Sequence, residues 1–213
     1  MSLLSQIMNQ ANITIISGSM RSESQSSKVM NYTKQYLSKN HSHVQINEID
    51  LGKNPMPMWD ENVWQNTPDW QEILHPLRET ITKSDCFIIV TPEYGGMASP
   101  ALKNFFLFWN KHQMGNKAAL IIGVSATRAG SYPVSELRSS SYKNTGLCYI
   151  PEHVIITKVQ DVLNNFGEAQ SKDDTYIQAR LHYGVDMLLE YSKALKHVRD
   201  SGVPDYENFA FGM

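Results

Sequence analysis

Two unbroken apolar runs, Cys86–Val90 and Ala118–Val124, constrain the fold of this chain more than any other feature. Short runs without polar alternation suit the central strands of a parallel sheet, because helices cover such strands on both faces. Neither run, nor any other stretch, approaches the roughly 18–20 apolar residues of a membrane helix, so no membrane association is expected. Strand-like and helical segments alternate around them. Ile13–Ile16 is a β-branched run, and residues 26–39 gather Val29, Met30, Tyr32, Thr33, Tyr36 and Leu37 on one helical face. Residues 43–49 alternate as a strand. Residues 68–81 repeat at helical spacing through Trp70, Ile73, Leu74, Leu77 and Ile81, with Pro76 expected to kink or split the helix. Helices over 99–109, 133–144 and 173–199, and a last strand within 149–159, complete the order. Five strands interleaved with helices specify a doubly wound five-stranded parallel sheet with helices on both faces. No repeat or linker divides the 213 residues, so one domain over 1–213 is expected, with a core over about 12–200 and a tail over 201–213.

In such sheets ligands bind beyond the carboxyl ends of the strands, where the strand order reverses. Three polar, glycine-containing loops follow strands here, 17–24, 91–98 and 125–132, and all three open on that edge. The first runs from a buried strand through Gly18 into a helix start, the arrangement a phosphate needs: outward amides and the positive end of the helix dipole. Ser19, Ser22, Ser24, Ser26 and Ser27 add hydroxyl donors and Arg21 adds a planar fork. The bland alternative is a serine-rich turn with an N-cap serine and a solvated arginine. The loop lacks the ending of a P-loop and the glycines of a dinucleotide fingerprint, so it suits one terminal phosphate monoester. Thr91-Pro92-Glu93-Tyr94-Gly95-Gly96 reads as a turn whose amides and aromatic neighbour suit the edge of a planar heterocycle. A phosphate site beside a heterocycle site points to a mononucleotide such as FMN.

Gly18-Ser19-Met20-Arg21-Ser22-Glu23-Ser24, together with Thr91–Gly96 and Ser99-Pro100-Ala101-Leu102-Lys103-Asn104, resembles the NADPH-dependent FMN reductase family of flavodoxin-like proteins. The resemblance runs from about residue 12 to residue 160 and takes in Leu51, Pro55, Pro57 and Glu136-Leu137-Arg138. It implies a flavodoxin-like fold and hydride transfer from NADPH (or NADH) through bound FMN to a small acceptor such as a quinone, azo dye, free flavin or oxidised metal. It also implies that Ser19, Arg21, Ser24 and Ser26 hold the FMN phosphate, with Ser26 where asparagine is frequent. Pro92, Glu93, Tyr94 and Gly95 would lie along the isoalloxazine ring, Gly95 standing for a common asparagine, and Ser125 belongs to the loop that closes the pocket. The cofactor carries the chemistry, so no catalytic side chain is implied. Lys103 and Asn104 are expected to serve helix packing. The family also implies a homodimer or homotetramer.

The remaining features exclude more than they assign. A net charge of −2 without a basic stripe argues against nucleic-acid binding. The seven histidines show no zinc spacing, so no metal is expected. Cys86 and Cys148 read as reduced thiols of a cytoplasmic protein, and Met1–Met8 lacks the features of a secretory signal. Trp59, Trp64 and Trp70 are expected to bury against a partner subunit rather than to lid a flavin, and the aromatic tail 206–211 is either a disordered end or an arm for another subunit. Rival readings are a flavin electron carrier or sensor without nicotinamide turnover, and a flavin-free interaction module.

Overall fold

The computed structural model describes residues 11–213, so the reading of Met1–Met8 lies outside the described residues. Five parallel strands, β1 (Asn12–Ser17), β2 (Gln45–Asp50), β3 (Cys86–Tyr94), β5 (Ala118–Val124) and β6 (Cys148–Ile156), stand in the order β2-β1-β3-β5-β6. A two-residue strand, β4 (Met97–Ala98), turns back antiparallel on β3. The order reverses between β1 and β3, which is the switch point of a flavodoxin-like sheet.

Period-two alternation sorts the strand side chains between two cores. On one face Ile13, Ile15, Ile88, Val90, Leu120 and Ile122 meet α1 (Gln25–Asn40) and α7 (Lys172–Asp200). On the other, Ile16, Phe87, Ile89, Ala119 and Ile121 meet α2 (Pro68–Lys83), α3 (Pro100–Phe106) and α5 (Tyr132–Ser140). All seven residues of β5 are buried, as its continuous apolar run requires.

Several boundaries differ from the sequence reading. Helix α2 runs unbroken through Pro76, so the expected split does not occur; Pro76 lies on the exposed side, so the carbonyl released by the missing N–H faces solvent and not the core. The helix expected over 99–109 stops at Phe106, and Asn110 starts a separate turn, α4 (Lys111–Met114), with a capping box to Gln113. The helix expected over 133–144 divides into α5 and α6 (Tyr142–Thr145) at Ser141. The last strand, expected within 149–159, starts one residue earlier at Cys148 and ends at Ile156, and Val159 belongs to a 3-10 turn.

Two aromatic expectations are also corrected. Trp70 is buried in this chain's own core and tilts against Phe108, with its indole N–H donated to Asp60, so a partner subunit is not what covers it. The tail is not a free end, because it docks on this chain. Tyr206 takes a hydrogen bond of 2.8 Å from Asn116 Nδ2, and Lys111 bonds the Ala210 carbonyl through its amide and the Phe211 carbonyl through Nζ. A Cβ at Gly115 would stand 2.9 Å from the Tyr206 ring, so the glycine makes room for the tyrosine.

Lys117 lies at the opposite edge from the loops, almost buried, with Nζ donated to the Ile81 and Thr82 carbonyls at the end of α2. Burial, and then the nearby Arg199 guanidinium, push its pKa down to about 7, against the pull of Asp85 and Cys86. An unfolded lysine titrates near 10.4, so above pH 7 the unfolded chain holds a proton that the folded chain has lost, and stability rises with pH. Burial pushes the adjacent Cys86 thiol up to about 12, an opposite contribution that offsets the lysine's once an unfolded thiol ionises near 8.5. Unfolding free energies from urea titrations are therefore expected to rise from pH 7 to 8.5, by at most about 1.4 kcal/mol per pH unit, and Lys117→Met should flatten that rise. An equal slope in the variant would assign the effect elsewhere.

Candidate functional site

Strand β1 stops at Ser17 while β3 runs on, and the chain after β1 folds over the step. The Gly18 amide donates to the Val90 carbonyl at 2.8 Å, and Ser99, the N-cap of α3, donates its hydroxyl to the Gly18 carbonyl. A Cβ at Gly18 would meet the Leu102 side chain at 3.0 Å and the Val90 carbonyl at 3.2 Å. Close approach, not a left-handed φ, is thus what Gly18 supplies here.

The loop hydroxyls have distinct partners. Ser19 is 1 % exposed; its Oγ accepts from the Arg21 amide at 3.1 Å and shares a hydrogen bond of 2.8 Å with Tyr94 Oη. Arg21 is exposed at the rim. Ser24 caps α1, accepting the Ser27 amide at 3.0 Å, which leaves the amides of Gln25 and Ser26 at the helix start for an anion. Ser26 itself is buried in that first turn. Ser27 donates to Asp50 Oδ2 at 2.6 Å, and Asp50 Oδ1 accepts the Gly52 and Lys53 amides. One buried carboxylate therefore ties the loop after β2 to the first turn of α1.

Thr91–Tyr94 is strand, not turn. The Val90 carbonyl faces β1, so by period two the Pro92 nitrogen faces the same side, where β1 has already ended and no ladder bond is lost. Only Gly95 and Gly96 form the turn, with φ of +58° and +78°, the positive pair a two-residue hairpin needs. Glu93 accepts the Gly130 amide through Oε2 and so holds the 125–130 loop against the end of β3. Ser125 Oγ is engaged inside that loop, accepting the Thr127 amide at 3.2 Å.

Residues the sequence reading assigned to packing also pin neighbouring loops. Asn104 donates to the Pro57 carbonyl and accepts the Trp59 amide, both at 2.8 Å, pinning the 55–59 loop. Asn104→Ala strips two partly buried bonds and is expected to cost about 2 kcal/mol, with limited proteolysis moving to the 53–60 segment; unchanged cleavage there would refute the clamp. Lys103 pairs with Glu136 at 2.7 Å, and Glu136 also accepts the Ala98 amide beside the hairpin. Burial lifts the Glu136 carboxyl, but Lys103 and the Ala98 amide outweigh it and hold it below the usual carboxylate range.

The three loops are thus knitted into one edge: Ser99 to Gly18, Tyr94 to Ser19, and Glu93 to Gly130. A family model described as NADPH-dependent FMN reductase matches residues 11–161, well over half of the chain. The chain belongs to that family. It is an FMN-dependent enzyme that takes hydride from NAD(P)H and passes it through the flavin to an acceptor. The FMN-dependent NADPH-azoreductase of Staphylococcus aureus is 27% identical over 180 residues, covering 83% of this chain and 93% of that protein. Among solved structures, a flavoenzyme NAD(P)H:acceptor oxidoreductase from Paracoccus denitrificans has a TM-score of 0.65 at 19% identity, covering 86% of this chain and 98% of that one. An NADH:FMN oxidoreductase in its apo form also reaches 0.65, at 18% identity and 84% and 89% coverage. At that identity the structural likeness speaks for the fold alone.

The family match stops before α7 and the docked tail. Among the described residues no cluster of histidine, cysteine or carboxylate side chains could hold a metal ion, and no helix is long and apolar enough to cross a membrane. The sequence reading missed Asp50 and Gly52; an aspartate closing a strand two residues before a glycine was the available signal. A groove of about 250 Å³ starts at Ser24 and follows α1 past Tyr32 to Phe166, but it includes none of the residues at 91–98 or 125–130.

Proposed function

We propose that the chain seats the FMN phosphate on the β1–α1 loop and the flavin ring along the β3–β4 turn, and that it reduces small aromatic acceptors of the azo or quinone type. The observation that carries this reading is the edge where Ser19, Tyr94, Glu93 and Gly130 join the loops after β1, β3 and β5. The donor set fits a phosphomonoester: the α1 amides of Gln25 and Ser26 supply partial positive charge, Arg21 supplies a full one, and Ser19 supplies a hydroxyl. The positive-φ glycines leave the hairpin backbone open to a flat ring, since a side chain at Gly96 would meet nothing within 4 Å.

When bound, FMN supplies two-electron chemistry, accepting hydride from a nicotinamide and delivering it to the acceptor. The protein's part is placement. Arg21 and the helix amides would hold the phosphate, and Glu93 keeps the 125–130 loop against the end of β3, where the ring would lie. Asn104 keeps the 55–59 loop, with Met58 and Trp59, at the mouth. The azoreductase likeness supports an azo acceptor, which needs only a flat face to stack on the ring.

The same reading takes the chain as one domain and as a cytoplasmic homodimer or homotetramer. Met58 and Trp64, 70 % and 77 % exposed, form with Trp59 an apolar patch suited to a second copy, and the unpaired Cys86 and Cys148 thiols fit a reducing compartment. The test is NADPH consumption by the flavin-loaded protein with an azo dye and with a quinone. Turnover of either supports the reading, and bound FMN without turnover of either overturns the acceptor assignment. Sedimentation of wild type and Trp64→Arg tests the patch, and an unchanged mass would remove it from the interface.

A further inference from the structure

We propose that Tyr94 is a positioning residue that orders the Ser19 hydroxyl toward the flavin phosphate, so that the end of β3 selects FMN over unphosphorylated flavin. The inference rests on the assignment of the phosphate to the β1–α1 loop.

Ser19 is 1 % exposed, so its hydroxyl takes its direction from the protein and not from water. A hydroxyl has one proton and two lone pairs. The Arg21 amide fills one lone pair of Ser19 Oγ at 3.1 Å, and Tyr94 Oη lies 2.8 Å away. Between two hydroxyls either can donate, and the choice decides what an anion meets. When Tyr94 donates, both Ser19 lone pairs are filled and the Ser19 proton is left to point outward. When Ser19 donates, a bare lone pair remains toward the loop, which repels phosphate oxygens. An anion at this loop therefore selects the order Arg21 amide and Tyr94 hydroxyl into Ser19, and Ser19 into phosphate. Hydrogen bonds to ionised acceptors are the strong ones, so the gain from a fixed direction is felt at the phosphate.

The placement of Tyr94 supports a role through Ser19. It is the last residue of β3, fixed by pairing with Met97 across the Gly95–Gly96 turn, while Ser19 belongs to a loop. The hydroxyl that does the ordering is thus on the rigid partner, and the one that is ordered is on the pliable one. Tyr94 and Ser19 lie 75 residues apart and on different strands' loops, so the bond also couples the phosphate seat to the ring seat.

The test compares FMN with riboflavin, which lacks the phosphate, by fluorescence titration of the apoprotein. Tyr94→Phe keeps the ring and removes only the hydroxyl. It is expected to weaken FMN binding about 5–10-fold, the loss of one such hydrogen bond, while riboflavin binding stays within about twofold. Ser19→Ala should do the same, and the double variant should be no weaker than the worse single one, because the two act as a unit. Riboflavin binding serves as the folding control for each variant. A parallel loss of riboflavin would place Tyr94 at the ring and overturn the inference, as would additive losses in the double variant or no change in FMN affinity. A wild-type protein that binds riboflavin and FMN equally would overturn the phosphate assignment itself, an outcome distinct from a failure of Tyr94 alone.

Discussion

Gly52→Ala is expected to cut FMN affinity at least about tenfold and to destabilise the protein by about 1–3 kcal/mol, the usual cost of forcing extra volume into a filled site. Gly52 is far from the phosphate loop in sequence, but a Cβ there would stand 2.2 Å from the Arg21 carbonyl oxygen and 3.1 Å from that of Ser19. Both are backbone atoms, so no side chain can swing aside. The loop carrying Ser19 and Arg21 has to move instead, and Asp50 opposes the alternative by holding the Gly52 and Lys53 amides in place. The φ of Gly52 is not in the left-handed region, so alanine suffers no backbone penalty of its own and the effect isolates the clash. Thermal melts of the apoprotein and FMN titration together check this. Unchanged FMN affinity with an intact fold would show that the loop does not carry the phosphate.

Arg21→Ala is the second large expectation, and it differs in kind. Arg21 is exposed and at the loop rim, so its removal should leave apoprotein stability within about 0.5 kcal/mol. FMN affinity should nevertheless fall about 10–150-fold, the equivalent of about 1.5–3 kcal/mol for a hydrogen bond to a charged group. Raised salt should weaken the wild type and leave the variant less affected, because the lost term is Coulombic. Arg21→Lys should recover only part of the affinity, since a point charge lacks the planar fork that matches two phosphate oxygens. Riboflavin affinity should not change. A wild-type FMN affinity in Arg21→Ala would leave the helix amides and the Ser19 hydroxyl as the phosphate site.

Sequence alone determined the strands, their parallel sheet and the edge on which the loops open. Those features are written locally: an unbroken apolar run such as Ala118–Val124 has no stable place except between two covered faces, and Gly18 between Ile13–Ile16 and a helical pattern marks a strand-to-helix turn. The family resemblance was legible for the same reason, because its motifs are contiguous. Secondary structure at the second loop was less legible. Pro92 reads as a strand breaker, and only the early end of β1 on that side lets β3 continue to Tyr94.

Tertiary structure decided what each hydroxyl in the candidate site does. Ser24 reads alike as phosphate ligand or helix cap, and it caps; Ser19 finds Tyr94 across 75 residues. Asn104 reads as packing until the 55–59 loop closes on it, and Tyr206 has no visible partner until Asn116 is brought beside it. These bonds join residues whose spacing in the chain carries no periodic signal. Hydrophobic periodicity fixes which face of an element is buried, but the pairing of polar side chains depends on where two separately placed elements end, and only the assembled sheet sets that.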